Sequence, residues 1–423
     1  MPKKSFLKMF AAVADHQPIF IRSLKSAACV TGSLCILFSM AACQKLKPAA
    51  TTPNGTTAAY PAVQSTFSST INLNALENYA AQPIPGYIKK DNTGTDPITN
   101  AGATLGRVLF YDKNLSVTNT IACASCHKQS MAFGDNVIQS QGANGLTARH
   151  AMRLVNARFA QEVRFFWDKR ASTLEDQTTQ PIQNHNEMGY SGLNGDPDIN
   201  ALIAKLQGIN YYKELFTFVY GDATITQARM QNAMAQFIRS IQSFDSKFDA
   251  GMAATGNLNA NFPNFTAQEN LGKSLFISRP SPPGSPVITG AGCQSCHRAP
   301  EFDIDPTSRD NGIIGVAGNP LLIDVTSVNP PSLRNLLDPT GKVNGLYMHD
   351  GSINNLAAVI DHYNQIVINP LNTNLDPKLR PGGQPQNLRL SQAQKDALAA
   401  FLSTLSGNDV YTNKKWSSPF ISF

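Results

Sequence analysis

Two pentapeptides hold the residue types best able to do chemistry: Cys123-Ala124-Ser125-Cys126-His127 and Cys293-Gln294-Ser295-Cys296-His297. Both read C-x-x-C-H. Cysteines three apart share one face of a helical turn, so both sulfurs can bond the two vinyl groups of a single porphyrin. The next residue then brings its imidazole beneath the iron. The pattern predicts two covalently bound c-type haems, one on Cys123 and Cys126, the other on Cys293 and Cys296, with His127 and His297 as iron ligands. Two C-x-x-C pairs with histidines could also hold structural zinc. A His directly after the second Cys, twice over, is what haem attachment requires. Each pair is too local to act as a disulfide staple in so long a chain.

The elements that must position these motifs also repeat. Leu105-Gly106-Arg107-Val108-Leu109-Phe110 precedes the first motif and Leu271-Gly272-Lys273-Ser274-Leu275-Phe276 the second, each reading as a short amphipathic helix. Thr266 with Glu269 forms a capping-box start for the second. Each half closes on a further helix. One spans residues 226–248, with Met230, Met234, Phe237, Ile238, Ile241 and Phe244 at spacings of three and four. The other spans 391–405, capped by Ser391 with Gln394 and buried through Leu398, Phe401, Leu402 and Leu405. A Gly-, Asn- and Ala-rich stretch over 250–265 reads as the linker. No long alternating pattern predicts extended sheet. The expected fold is mainly α with little β: two cytochrome c-like haem domains in tandem, at 76–250 and 262–410.

Before these, residues 1–43 read as a signal peptide. Arg22 and Lys25 precede an apolar run from Ala27 to Phe38 that closes on Ser39-Met40-Ala41-Ala42-Cys43. The apolar run falls short of the ~18 residues a membrane span needs. Ala-Ala-Cys at its end resembles a bacterial lipobox, which implies a lipid anchor at Cys43 and an exported, periplasmic, membrane-anchored protein; an ordinary cleaved signal is the alternative. Residues 44–75, rich in Thr, Ala and Pro, read as a flexible tether. Much of the formal net charge of +6 sits in the leader. Beyond it 30 basic residues face 28 acidic ones, a balance that does not suggest a nucleic-acid partner. Of the seven cysteines, three lie at or before position 43 and four in the motifs, so no thiol is left over to mispair.

Between the two motifs stands Phe166-Trp167-Asp168-Lys169-Arg170-Ala171, followed in register by Gln177, Pro181 and Glu187. The second half carries Pro331-Ser332-Leu333-Arg334-Asn335 and Tyr347-Met348-His349-Asp350-Gly351. Over roughly residues 75–410 these ordered motifs resemble the bacterial di-haem cytochrome c peroxidases and their MauG-type relatives, with their F-W-D-G-R-A, P-x-L-R-N and Y-F-H-D-G segments. Peroxide cleavage on iron needs an open coordination position, a proton relay and an electron source. A carboxylate can relay the proton and an amide can orient the peroxide. On the family register, Glu187 and Gln177 take these catalytic roles, and Trp167 lies between the haems to pass electrons or a hole. On spacing alone Glu187 would read as a surface carboxylate and Trp167 as a core aromatic.

The resemblance makes the His127 haem peroxidatic and the His297 haem the electron-transfer centre. No His occurs over 134–148, where many family members keep a distal ligand, so the first iron is expected to be open at rest. His150 stands where the family carries a calcium-binding Asn. That substitution puts an inter-haem calcium in doubt and makes His150 an outside distal-ligand candidate. For the second iron the family's Met position is occupied by Tyr363, the MauG-type arrangement; His362 and Met348 are alternatives, and His349 reads as a buried, hydrogen-bonded histidine. Phenolate is a hard anionic donor that favours ferric iron, so the potential falls. The expected reaction is reduction of hydrogen peroxide to water with electrons from a small cytochrome c or cupredoxin. The alternatives are a MauG-like oxidase acting on a protein or organic substrate by long-range electron transfer, and a non-catalytic di-haem electron carrier. A homodimer is compatible with the resemblance.

Overall fold

The computed structural model describes residues 60–421 apart from Pro283. The leader, Cys43 and the first half of the expected tether, residues 44–59, lie outside the described residues. The helices are α1 (Pro61–Phe67), α2 (Asn100–Tyr111), α3 (Cys123–Cys126), α4 (Leu174–Thr179), α5 (Ile199–Gln207), α6 (Asn210–Tyr220), α7 (Gln227–Ser240), α8 (Lys247–Thr255), α9 (Ala267–Ile277), α10 (Leu356–Asn364), α11 (Gln392–Ser403) and α12 (Asp409–Thr412). Among the described residues strands are confined to two antiparallel pairs. β1 (His297–Arg298) pairs with β2 (Asp303–Ile304), and β3 (Gly315–Val316) with β4 (Asn319–Ile323). The fold is mainly helical with little sheet.

Two helix pairs organise it: α2 packs on α7, and α9 on α11. They share one crossing device. A Cβ on Gly106 would lie 1.9 Å from the Ala233 carbonyl oxygen, and one on Gly272 would lie 1.8 Å from that of Ala397. The next side chain in the way is Phe237 in one pair and Phe401 in the other, four residues after the alanine each time. The repeated Leu-Gly dipeptide is therefore a helix-crossing point, where only hydrogen fits between the backbones. Around each crossing lies a core: Phe110, Phe133, Phe237 and Trp416 on one side, Phe248, Phe276, Phe302 and Phe401 on the other. Each fully buried aromatic or leucine contributes about 1.5–3 kcal/mol. α3 packs on α2, and the 3-10 turn Cys293–Ser295 packs on α9, so each motif is seated on the first helix of a pair.

The capping boxes Thr266/Glu269 and Ser391/Gln394 are both formed. The helix expected over 226–248 is instead interrupted. α7 stops at Ser240, Ile241 turns extended, and its carbonyl accepts from Asn156 N at 3.0 Å. A new capping box, Ser246 with Asp249, then starts α8 and carries helix into the expected linker as far as Thr255. Part of the expected tether also folds. Val63, Phe67 and Ile71, spaced by four, are buried against Leu105 and Phe216, an apolar stripe masked by the surrounding Ser, Thr and Ala. After α12 the chain returns to the first half, where Trp416 is buried and donates to the Ser240 carbonyl at 3.1 Å.

Candidate functional site: two cavities sharing a wall

Two large cavities open inside the fold. The first, about 1260 Å³ counted out to its mouth, is lined by Cys126, His127, Gln177, Pro181, Glu187 and Arg170 among others. The second, about 1630 Å³ on the same measure, is lined by Cys293, Cys296, His297, Tyr363, Met348 and His349 among others. Trp167, His150, Met152 and Arg153 line both, so they form the partition.

His127 is held by its Nδ1, which faces the carbonyls of Met152 at 2.9 Å and Phe133 at 3.2 Å. That contact orients the ring and leaves Nε2 as the donor to a metal. Burial pushes the pKa of His127 down and that of His297 down to about 4, so both stay neutral, the state that ligates metal. His297 Nδ1 is sealed from solvent and finds no hydrogen-bond partner among the described residues. Burial also pushes Cys123 and Cys293 up to about 12 and Cys126 up to about 11, which keeps these thiols protonated. Zinc would demand thiolates in one cluster. The two thiol pairs are instead seated on different helices, one on α2 and one on α9, and among the described residues no three His, Cys, Asp or Glu side chains are grouped to hold a metal.

Glu187 sits on a tight turn. Asn184 Oδ1 accepts from Glu187 N at 3.2 Å, and the Glu187 carbonyl accepts from Ala143 N at 2.7 Å. The loop carrying Ala143 presses so closely that a Cβ on Gly142 would lie 2.1 Å from the Asn186 carbonyl oxygen. Burial raises the Glu187 carboxyl to about 7, with Arg170 pulling the other way. Gln177 lies on α4, which is clamped to α7 by the Arg239–Glu175 ion pair and by Gln227 and Gln231 donating to Thr179 Oγ1 at 3.0 and 2.8 Å. The fold thus brings Glu187, Gln177 and His127 to one cavity.

Trp167 rides the tip of a hairpin closed by the Phe165–Ala171 bridge, with Phe166 at φ +70° and Lys169 at φ +59°. Its carbonyl accepts from Val328 N at 2.8 Å and Asn329 N at 2.9 Å, and its Nε1 donates to the His150 carbonyl at 2.8 Å. Arg149 bridges Asp168 and Asp324 at 2.8 Å each. The indole meets the His349 ring edge-on at 6.2 Å. His349 Nε2 contacts the Gly315 carbonyl at 2.8 Å. His150 lines the cavities, with Nδ1 committed to the Val137 carbonyl at 2.8 Å.

In the second cavity Tyr363 and Met348 meet at one amide: Asn311 Nδ2 donates to the Tyr363 hydroxyl at 3.0 Å and contacts the Met348 sulfur at 3.3 Å. Burial raises the Tyr363 pKa, and Asn311 partly offsets it. His362 points elsewhere. Its Nε2 engages the Asn311 carbonyl at 2.9 Å, and it does not line the cavity. Sequence reasoning missed Asn311 and Arg153: neither belongs to a motif, Asn311 meets its partners 37 to 52 residues along the chain, and Arg153 is marked only by its unbonded Nε.

A helical protein with two cavities, one lined by Cys126 and His127 and the other by Cys293, Cys296 and His297, each from a Cys-x-x-Cys-His motif, defines the class of multi-haem c-type proteins. A family model described as di-haem cytochrome c peroxidase matches residues 100–257. The chain is 30% identical over 323 residues to the methylamine utilization protein MauG of Methylophilus methylotrophus, covering 74% of this chain and 84% of that protein. It is 27% identical over 319 residues to cytochrome c551 peroxidase of Nitrosomonas europaea, covering 72% and 80%. A crystal structure of a MauG-like protein associated with microbial copper homeostasis superposes with a TM-score of 0.61 at 25% identity, over 80% of this chain and 99% of that one. The chain belongs to the di-haem cytochrome c peroxidase and MauG family, and is an oxidoreductase whose family cofactors are c-type haems. The neutral histidine and protonated thiol pair of each motif suit one such haem. Among the described residues no helix is long and apolar enough to cross a membrane.

Proposed function

We propose that this chain is a di-haem peroxidase that reduces hydrogen peroxide to water with electrons from a small cytochrome c or cupredoxin. One peroxide takes up two electrons and two protons and leaves as two waters. Cys123 and Cys126 would attach one haem with His127 as its ligand, and Cys293 and Cys296 the other with His297. A haem iron supplies the electrophile that binds peroxide and passes electrons to it. The protein's own part is proton handling and wiring. Glu187, poised near neutrality, takes the proton from the incoming peroxide oxygen and returns it to the departing one. Gln177 orients the peroxide through its amide, and Trp167 in the partition gives electrons a short path from one cavity to the other.

The observation that carries this reading is the placement of Glu187 and Gln177 in the cavity of His127, where burial raises the Glu187 carboxyl to about 7. A division into haem-bearing halves at 76–250 and 262–410 accords with the repeated glycine crossing. Export and tethering through Cys43 follow from the leader alone. The test is steady-state peroxide consumption by the haem-loaded protein with a reduced cytochrome. Absence of turnover with both haems attached would reject the peroxidase and leave an electron carrier.

A second reading rests on the Tyr363–Asn311 contact: a MauG-like oxidase acting at a distance on a protein or organic substrate. A hydrogen bond to the phenolic oxygen favours the phenolate and hence an anionic iron ligand. Tyr363→Met should then raise the potential of the second haem. An unchanged potential would remove the tyrosine from the coordination sphere.

A further inference from the structure

Arg153 stands in the partition with no counter-charge. Its stem is pinned where a Cβ on Gly134 would approach to 2.8 Å of Arg153 Cγ. Its Nε is sealed from solvent and unbonded, and among the described residues none accepts a hydrogen bond or ion pair from its guanidinium. Arginines buried more deeply are answered: Arg334 by Asp249 at 2.9 Å, and Arg239 by Glu175. The nearby groups of opposite sign in waiting are Tyr347 and Tyr411. Both hydroxyls donate to backbone carbonyls, of Leu336 at 2.9 Å and Leu337 at 3.2 Å. Burial pushes Tyr347 up and Tyr411 up to about 12, so neither supplies an anion.

An arginine does not escape by losing its proton. A half-buried guanidinium whose Nε is sealed and unbonded costs the fold free energy unless an anion answers it. Burial does depress the Arg153 pKa, but from a starting value so high that the cation persists. The surface it keeps lines both cavities, so its partner must be something that enters them. The planar fork is matched to carboxylates.

We propose that Arg153 is a shared carboxylate receptor in the wall between the two cavities, neutralising haem propionates and raising the reduction potentials of the haems it serves. This rests on the di-haem reading above. A fixed cation favours the reduced, less positive state of a nearby iron. Its removal therefore lowers the potential, by about tenfold in the reduction equilibrium or about 59 mV for one electron.

The test is spectroelectrochemical titration of haem-loaded wild type, Arg153→Met, Arg153→Gln and Arg153→Lys, with haem content read by mass and absorbance. Arg153→Met should lower at least one midpoint potential by about that amount, and Arg153→Lys, which keeps the charge, should recover most of it. If Arg153→Met does not fold, Arg153→Gln makes the same comparison without charge. Potentials equal to wild type in a charge-deleted variant carrying both haems would overturn the assignment while leaving the peroxidase reading intact. A wild-type protein without attached haems would overturn both. Addition of acetate should leave the wild-type potentials unmoved; a shift that tracks acetate would mean a free anion answers Arg153, and would overturn the propionate assignment.

Discussion

Replacing Glu187 by Gln tests the proton relay through two opposed effects. Burial lifts this carboxyl from the ordinary 4.5 to about 7, which corresponds to about 3 kcal/mol against the charged form. Because the folded pKa lies above the unfolded one, the folded state is relatively most stable below about 4.5. That advantage is lost as pH rises through about 7. Above that pH the ionised side chain burdens the fold by up to about 3 kcal/mol. Glu187→Gln keeps the shape and removes the charge, so it should be more stable than wild type at pH 8 and nearly equal at pH 5. Its peroxide turnover should nevertheless fall by about 10²–10⁴, the usual range for a lost general acid–base. Wild-type kcat/KM should rise with pH through about 7, as the base form accumulates, and the variant should lose that inflection. The assays are denaturant unfolding at the two pH values and stopped-flow peroxide kinetics across them. A variant that turns over within about tenfold of wild type, or that keeps the inflection, would refute the assignment.

Other perturbations follow from the packing. Gly272→Ala places a methyl 1.8 Å from the Ala397 carbonyl oxygen, so α9 and α11 must part. A loss of about 1–3 kcal/mol or more should appear as a fall of several degrees in Tm, and Gly106→Ala should behave alike. Arg334→Met strands Asp249, which also accepts from the Tyr87 hydroxyl at 2.7 Å, and should cost about 3–5 kcal/mol. Burial pulls the Asp249 pKa up but the Arg334 charge prevails and holds it below the carboxylate range. The pair's stabilisation should therefore fade as pH falls through that depressed value, and unfolding midpoints measured on an acid series check it.

The chemistry of this protein was legible where the governing interactions are local. The two C-x-x-C-H motifs, the capping boxes at Thr266 and Ser391, and the repeated Leu-Gly helices depend on residues within four positions of one another, so spacing alone reveals them. The ordered Trp167, Gln177 and Glu187 were visible as a register. That they serve a common purpose came from resemblance rather than from the residues.

Only the tertiary structure decided what meets across the chain. The pKa of Glu187 is a matter of burial, which no sequence neighbour sets. The break after Ser240 exists because Asn156 takes the Ile241 carbonyl from 85 residues away, and the return of Trp416 to the first core depends on a contact with Ser240. Between Tyr363 and His362 the sequence offered two adjacent donors. The Asn311 carbonyl turns one away while the Asn311 amide meets the other. Arg153 had no signal at all, since a missing partner is a property of the packed interior. Short-range spacing writes covalent chemistry and helix ends into the chain; desolvation and long-range hydrogen bonding, which set protonation and pairing, arise only once the chain has closed on itself.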